Sequence, residues 1–404
     1  MPESQLVDKA GKYLYTLCSV EPNRRTGSPG NRQATGFFAS VVEPLGYEVD
    51  TTPFPCTDFI GGETRLSLGS RDFEVHISPY SLPCEVLSPV IEVSTVEELE
   101  RCRCTDRILL LRGEICAEQL MPKNFVFYNP ENHQRIYALL EEKRPAAIVT
   151  ATARNPEEVG ALYPFPLILD GDFDIPTAYC TDFVGEAIAA HTGERFRLRM
   201  DTRRVPSTSS NVIARKNPQG NQKIVLTAHI DAYEDTPGAS DNASGTVVLM
   251  LLAELLTGYG GPLAVEIVAL NGEDHYSAAG QMDYLHRYES ELDRTMLAIN
   301  IDDVGYVEGR TAYSFIGCSD ALRREAGEVF AGFEGITEGE PWYTGDHMIF
   351  VQKGIPALAF TAERMPELMK MVTHTQRDRP ELIDCAKLVE LARALDVLIR
   401  RWTS

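Results

Sequence analysis

The sequence predicts an α/β protein: a mixed, largely parallel sheet flanked by helices, with a β-rich domain inserted into it. Three observations carry this. From Ser210 onward, short apolar runs alternate with amphipathic helical stretches, the rhythm of a parallel sheet covered by helices. Between about Asp58 and Thr202 that rhythm gives way to short β-like runs separated by turns. The apolar runs of the second half also end in histidine, aspartate or glutamate, at the strand edge where open α/β sheets place their ligands. The expected organisation is one domain built from residues 1–58 and 201–404, with residues 59–200 inserted into it.

Taken in order, residues 4–48 read as helical on either side of the turn-rich segment 21–31. After that break Ala34, Phe37, Phe38, Val41, Val42 and Leu45 recur at helical spacing, Gly46 closes the helix, and Tyr47 begins a strand. Inside the insert, strands are expected at 63–68, 73–77, 107–111 and 146–150, with helices at 133–142 and 183–191. None of these runs ends in a cluster of metal-ligand residue types, so the insert is expected to be chemically quiet. Strands then follow at 211–214, 223–229, 264–270, 296–301 and 355–360, and helices at 246–256 and 278–287. A last amphipathic helix over 382–402 puts Leu388, Leu391, Leu395, Leu398 and Trp402 on one stripe.

Bulk properties exclude several classes. At 404 residues the chain can support two cores, and 44% hydrophobic with 24% charged residues is ordinary for a soluble globular protein. A net charge of −21 argues against a nucleic-acid partner held through phosphates. The acidity suits metal ions and cationic substrates, although solubility is its simpler explanation. The N-terminal stretch lacks a basic–apolar leader pattern and no apolar run reaches membrane-span length, so a cytoplasmic protein without a membrane partner is expected. The nine cysteines are scattered, with only Cys102-Arg103-Cys104 close together, which makes neither a zinc knuckle nor a disulfide framework. A homo-oligomer is compatible with this composition.

The chemistry concentrates in the second half. The strand at 223–229 ends in His229-Ile230-Asp231, and a loop then reaches Asp241. The next strands run into Glu273-Asp274 and into Asp302, and the segment after the last strand reaches His374. Packing does not need such strand ends, and carboxylates brought together repel unless a cation joins them. His229, Asp241, Asp274, Asp302 and His374 are too many donors for one open tetrahedral zinc. They suit two zinc ions sharing a bridging carboxylate, and cobalt or manganese would take the same donors. Glu273 is left over beside Asp274, placed to accept a proton from water. Asp231, two residues from His229, is a candidate to hydrogen-bond that imidazole and hold its tautomer. His275 and His286 read as ordinary histidines.

These motifs resemble the dinuclear zinc exopeptidases of the aminopeptidase Y type, which include bacterial leucyl aminopeptidases and glutamate carboxypeptidase II. The matching segments are Arg24-Arg25-Thr26-Gly27-Ser28-Pro29-Gly30, Ser210-Asn211-Val212-Ile213-Ala214, His229-Ile230-Asp231 and Asp241-Asn242-Ala243-Ser244-Gly245. Gly272-Glu273-Asp274, Asn300-Ile301-Asp302, Gly345-Asp346-His347, Gly354-Ile355-Pro356-Ala357 and His374-Thr375-Gln376-Arg377-Asp378 follow. The resemblance covers residues 20–50 and 205–404 and implies the zinc-peptidase, phosphorylase/hydrolase-like fold. It further implies that Asp241 bridges the two ions, that the other four donors are terminal ligands, and that Glu273 is the general base. It also implies a cis Asp241–Asn242 peptide. The insert resembles a protease-associated (PA) domain. Two departures stand out: Glu273-Asp274 where the family commonly has two glutamates, and Thr373 where a tyrosine often precedes the last histidine. Tyr343 is then the candidate for supporting the oxyanion.

The resemblance implies an aminopeptidase acting on peptides. A carboxypeptidase of the same fold is the first alternative, since Arg364, Lys370 and Arg377 near the last ligand could hold a C-terminal carboxylate. A single-zinc glutaminyl cyclase is the second, and retention of all five donors argues against it. A non-catalytic receptor of this fold would be expected to have lost ligands, and none is lost here.

Overall fold

The computed structural model describes residues 2–155 and 159–402. The chain divides into two compact units, Met1–Cys56 with Thr208–Ser404, and Thr57–Ser207. Both junctions fall inside long strands, Pro53–Leu68 and Arg195–Ser210.

The first unit begins with α1 (Glu3–Cys18), α2 (Pro29–Val42) and β1 (Glu48–Asp50). After the insert come β2 (Val212–Lys216), β3 (Lys223–His229), α3 (Gly245–Leu255), β4 (Ala264–Leu270), α4 (Ala279–Tyr288) and β5 (Thr295–Ile301). They are followed by β6 (Thr311–Ile316), α5 (Asp320–Phe330), β7 (Ile336–Glu338), α6 (Met348–Val351), β8 (Ala357–Ala362), α7 (Met365–Met371) and α8 (Cys385–Arg401). The eight strands form one sheet in the order β1-β2-β4-β3-β5-β8-β6-β7. Its centre, β4-β3-β5-β8, is parallel, while β1–β2, β2–β4 and β8–β6 pair antiparallel.

Burial explains the pattern. Every residue of β3 and β4 is buried, because a parallel sheet is covered on both faces. Two of those residues are charged: Lys223 and Glu266 sit 3.4 Å apart, and Arg215 closes on Glu266 at 2.7 Å. α3 is apolar nearly all round and lies in the core, whereas α8 buries the expected stripe of Leu388, Leu391, Leu395 and Leu398. Trp402 ends that stripe half-buried, its indole N–H donating to Glu325 at 2.7 Å. Among the described residues no helix is long and apolar enough to cross a membrane.

Several expectations need correction. The turn-rich segment does not extend to Asn31, because α2 already starts at Pro29. Proline at the first helical position loses no intrahelical hydrogen bond, and the Ser28 hydroxyl accepts the Asn31 N–H at 3.0 Å. β6, α5, β7 and α7 are further elements beyond those expected, with the strands β6 and β7 toward one edge of the sheet. α5, β7 and α7 are partly exposed and carry weak apolar periodicity, while β6 is a nearly fully buried run broken by Thr311 and Ser314.

The second unit is an eight-stranded sheet in the order Arg71–Phe73, Pro53–Leu68, Arg195–Ser210, Cys84–Val93, Ile108–Leu111, Ala147–Thr152, Thr177–Thr181, His76–Ile77. The expected single strand over 73–77 is thus two short strands on opposite edges. Helices Val96–Arg101, Glu131–Lys143 and Asp182–Ala189 accompany the sheet. Leu109 and Leu111 feed one apolar cluster, Ile108 and Leu110 another, since successive side chains of a strand point to opposite faces. Cys84–Val93 does not read as a strand in sequence because Pro89 interrupts its apolar pattern. Arg195–Ser210 did carry a legible signal: Phe196, Leu198, Met200 and Thr202 are buried alternately with exposed residues.

Candidate metal centre

The five expected donors converge at the carboxyl edge of the parallel strands. His229 ends β3, Asp302 follows β5, Asp274 lies four residues beyond β4, Asp241 sits in the loop between β3 and α3, and His374 follows α7. Asp241 stands between the two imidazoles, its Oδ1 3.1 Å from His229 Nε2 and its Oδ2 3.2 Å from His374 Nε2. Asp302 Oδ1 lies 3.4 Å from the same nitrogen of His229, and Asp274 Oδ1 lies 3.2 Å from that of His374. The donors therefore fall into two sets, each of one histidine and one carboxylate, with Asp241 common to both. The Asp241–Asn242 peptide is cis.

This arrangement fits cations. Asp274 Oδ2 is buried without a hydrogen-bond donor, and Asp302 Oδ1 has only the His229 contact. Burial alone would lower the His229 pKa, but the Asp302 charge and hydrogen bonds to Asp241 and Asp302 outweigh it and hold it well above the usual value. His374 is raised in the same way against its burial, by Asp274 and Asp241. Glu273 is pushed well above the carboxylate range by burial and by the charges of Asp274, Asp302 and Asp346, which together outweigh His229. Burial and the Asp241 charge likewise raise Asp274. So many acids around two imidazoles are short of positive charge, and imidazole with carboxylate is the donor chemistry of zinc.

The surrounding residues fix these groups. Asp231 is not bonded to its neighbouring imidazole: its Oδ1 is 3.8 Å from His229 Nδ1, and that nitrogen is buried without a partner. The carboxylate instead accepts the backbone N–H groups of Gly272 at 2.8 Å and Asp274 at 3.2 Å, so it holds the turn that carries Glu273. Two carboxylate lone pairs facing two amides win over a longer contact to the ring.

Asp378 accepts the N–H groups of Ser240 at 2.7 Å and Asp241 at 3.0 Å. On the other side of the same loop the buried Arg24 guanidinium donates to the carbonyls of Pro237 at 2.6 Å and Gly238 at 2.8 Å, and also to Ile230 at 3.1 Å. Asn242 ties the start of α3 to β5, accepting from Gly245 N–H and donating to Ile301 O, both at 2.9 Å. The Thr246 hydroxyl donates to the His229 carbonyl at 3.0 Å. The Tyr233 ring stacks on His374 with centroids 4.7 Å apart.

Other site groups were not foreseen. Asp303, next to Asp302, accepts the Ser240 hydroxyl at 2.7 Å and has φ 51°. Asp346 is fully buried and bonded to Gln281, and burial pushes its carboxyl up to about 7. The Gly345-Asp346-His347 motif marked that position without revealing its partner. The oxyanion candidate Tyr343 is 64% exposed, and Thr373, which stands where the family often has a tyrosine, is buried with its hydroxyl unpartnered among the described residues. His275 is an ordinary buried histidine beside Ser277 and Tyr276. The guanidinium of Arg364 is engaged by Glu308 and Glu367, and that of Arg377 donates to Met371 O at 3.2 Å.

Comparison with known proteins agrees with this geometry. The sequence pattern of peptidase family M28 matches residues 211–399, the span that holds all five donors and Glu273. The chain is similar to aminopeptidase YwaD of Bacillus subtilis strain 168, 27% identical over 409 residues, covering 96% of this chain and 83% of that protein. It is also similar to leucine aminopeptidase 2 of Trichophyton rubrum, 29% identical over 356 residues, 83% of this chain and 68% of that one. Among solved structures, BSAP, a zinc aminopeptidase from Bacillus subtilis, superposes with a TM-score of 0.77 at 19% identity, covering 98% of this chain and 95% of that one. The last likeness concerns the fold.

Proposed function

We propose that the chain is a metal-dependent aminopeptidase of peptidase family M28, whose pattern matches residues 211–399, and that two zinc ions and Glu273 carry its chemistry. The observation that carries the two-ion reading is the division of Asp241, one carboxylate oxygen toward each histidine. His229 and Asp302 would hold one ion, His374 and Asp274 the other, with Asp241 shared. When bound, such a pair would lower the pKa of water and polarise the scissile carbonyl.

Glu273 takes the proton of the attacking water and passes it to the departing amine. Burial and the charges of Asp274, Asp302 and Asp346 raise its affinity for that proton. Asp231 holds the Glu273 turn, while Asp378 and Arg24 hold the Asp241 loop. Beyond the ligands the site keeps carboxylates, Asp303 and Asp346, and its nearby arginines are committed elsewhere. With Arg364 and Arg377 engaged by other groups, neither is free to hold a C-terminal carboxylate, which supports aminopeptidase over carboxypeptidase. The single-zinc cyclase alternative is disfavoured because both donor sets are complete. We read the second unit as a PA-like domain that supplies no metal ligand, consistent with all five donors lying outside 57–207.

The test is hydrolysis of peptides blocked at one end or the other by zinc-saturated protein, with metal content measured in parallel. Cleavage only of peptides with a free N-terminus, at two zinc per chain, is expected. Cleavage confined to peptides with a free C-terminus would refute the aminopeptidase reading, and a plateau at one zinc would refute the paired site.

A further inference from the structure

Glu273 lies in a turn that is fastened on both sides, and the fastening leads to residues far away in the sequence. The turn leaves β4 at Asn271 and enters α4 at Gly280. Asn271 N–H donates to Asn211 Oδ1 at 3.0 Å, and Asn271 O accepts Gly280 N–H at 2.9 Å. Asn211 Nδ2 donates in turn to Gly280 O at 2.8 Å, so one amide side chain grips both ends of the turn. The Asn271 side chain accepts from Asn31 Nδ2 at 2.5 Å and donates to Ser210 O at 2.5 Å. Asn31 completes the set: its Nδ2 also donates to Arg24 O at 2.9 Å, and its Oδ1 accepts the Ser209 hydroxyl at 2.6 Å. The three asparagines are 0%, 3% and 0% exposed for Asn31, Asn211 and Asn271.

We propose that the buried amides of Asn31, Asn211 and Asn271 are positioning residues for Glu273, setting where its carboxylate meets the water. This rests on Glu273 being the general base. Packing alone does not account for them: three buried amides carry a desolvation cost that apolar side chains of similar size avoid. What amides add is direction, and a fully partnered network is rigid. There is also no slack, because a Cβ on Gly280 would fall 2.1 Å from Asn271 O and 2.4 Å from Asn211 Oδ1. A displacement of about 1 Å at a reacting group can cost on the order of 10²-fold in rate.

The experiment is a mutant cycle in the full-length zinc-loaded enzyme on a chromogenic amino-acid anilide. Asn31→Ala should lower kcat by about 10²-fold, with KM and bound zinc unchanged within twofold. In a Glu273→Gln background the same substitution should have no further effect, since the group it positions is already gone. Asn31→Ser, a milder change, should fold where Asn31→Ala does not, and should fall between it and the parent. Phe330→Leu, in the core of the same unit, reports loss of stability alone and should keep kcat. Equal losses from Asn31→Ala or Asn31→Ser in both backgrounds, or unchanged kcat, would overturn the positioning role. Near-normal turnover by Glu273→Gln itself would overturn the base and, with it, this inference.

Discussion

At the scale of single residues, the adjacent Glu273 and Asp274 carry different work one peptide apart. Asp274 faces His374 at 3.2 Å, while Glu273 contributes to neither donor set. Glu273→Gln keeps the side-chain size and removes the proton acceptor, so kcat should fall by about 10²–10⁴ with KM little changed. Asp274→Asn should lower bound zinc by one ion per chain, since a neutral amide is a poor ligand, and metal analysis reads that directly. If Glu273→Gln loses metal as well, the two roles have been confused. Of the five expected donors, His229, Asp274 and Asp302 stood out because they end or closely follow an apolar strand, whereas Asp241 and His374 lie in segments 12 residues beyond one. Asp231 bonds the amides of Gly272 and Asp274 and not the imidazole expected from spacing: sequence spacing gives its closeness to His229, not the direction in which its oxygens point. Asp378 and Asp346 could not be assigned, because their partners Asp241 and Gln281 are 137 and 65 residues away in the chain.

At the scale of elements, the loop from β3 to α3 is irregular backbone held by charge on both sides. Arg24 takes four carbonyls, those of Leu17, Ile230, Pro237 and Gly238, and Asp378 takes the amides of Ser240 and Asp241. Arg24→Met keeps much of the volume but removes the guanidinium from those carbonyls. Gly238 O keeps the Ala243 N–H and Leu17 O the Val20 N–H, while Ile230 O and Pro237 O lose their side-chain donor, at roughly 1–3 kcal/mol for each group left unsatisfied. The expected loss in unfolding free energy is about 3 kcal/mol or more, read from urea denaturation, with weaker zinc binding in a chelator competition. Stability within about 1 kcal/mol of the parent would show that the loop holds its shape without the guanidinium. The sequence marked Arg24 as part of a motif and placed the loop, but four neutral acceptors leave no charge pattern that names the contact. Elements with strong periodicity, β3, β4, β5 and α8, were readable; β6 and β7 near the sheet edge and the split strand at 73–77 were not, because pairing rather than periodicity defines them.

At the scale of the whole molecule, the change of texture near residue 58 marks a chain that leaves one fold and returns to it. β1 and β2 pair antiparallel with Asp50 opposite Ile213, so the ends of the detour are neighbours on the sheet, about 5 Å apart. Among the described residues, the apolar cluster of the first unit runs from Leu6 through the sheet to Ile399 with members from that unit alone, and two clusters of the second unit lie between Leu66 and Met200. Two units with separate cores are expected to fold separately. Deleting residues 57–207 and joining Cys56 to Thr208 through Asn-Gly turns the detour into a hairpin, the connection that antiparallel neighbours take most readily. What is left, roughly 250 residues, is ample for its own core. The shortened protein should melt cooperatively and bind zinc to the stoichiometry of the full chain, because every donor, Glu273 and both clamps of the Asp241 loop remain. Scanning calorimetry with metal analysis decides it. A soluble product that melts without cooperativity and takes up no zinc would mean that the first unit needs the second to fold, and the division of the chain into independent units would be wrong.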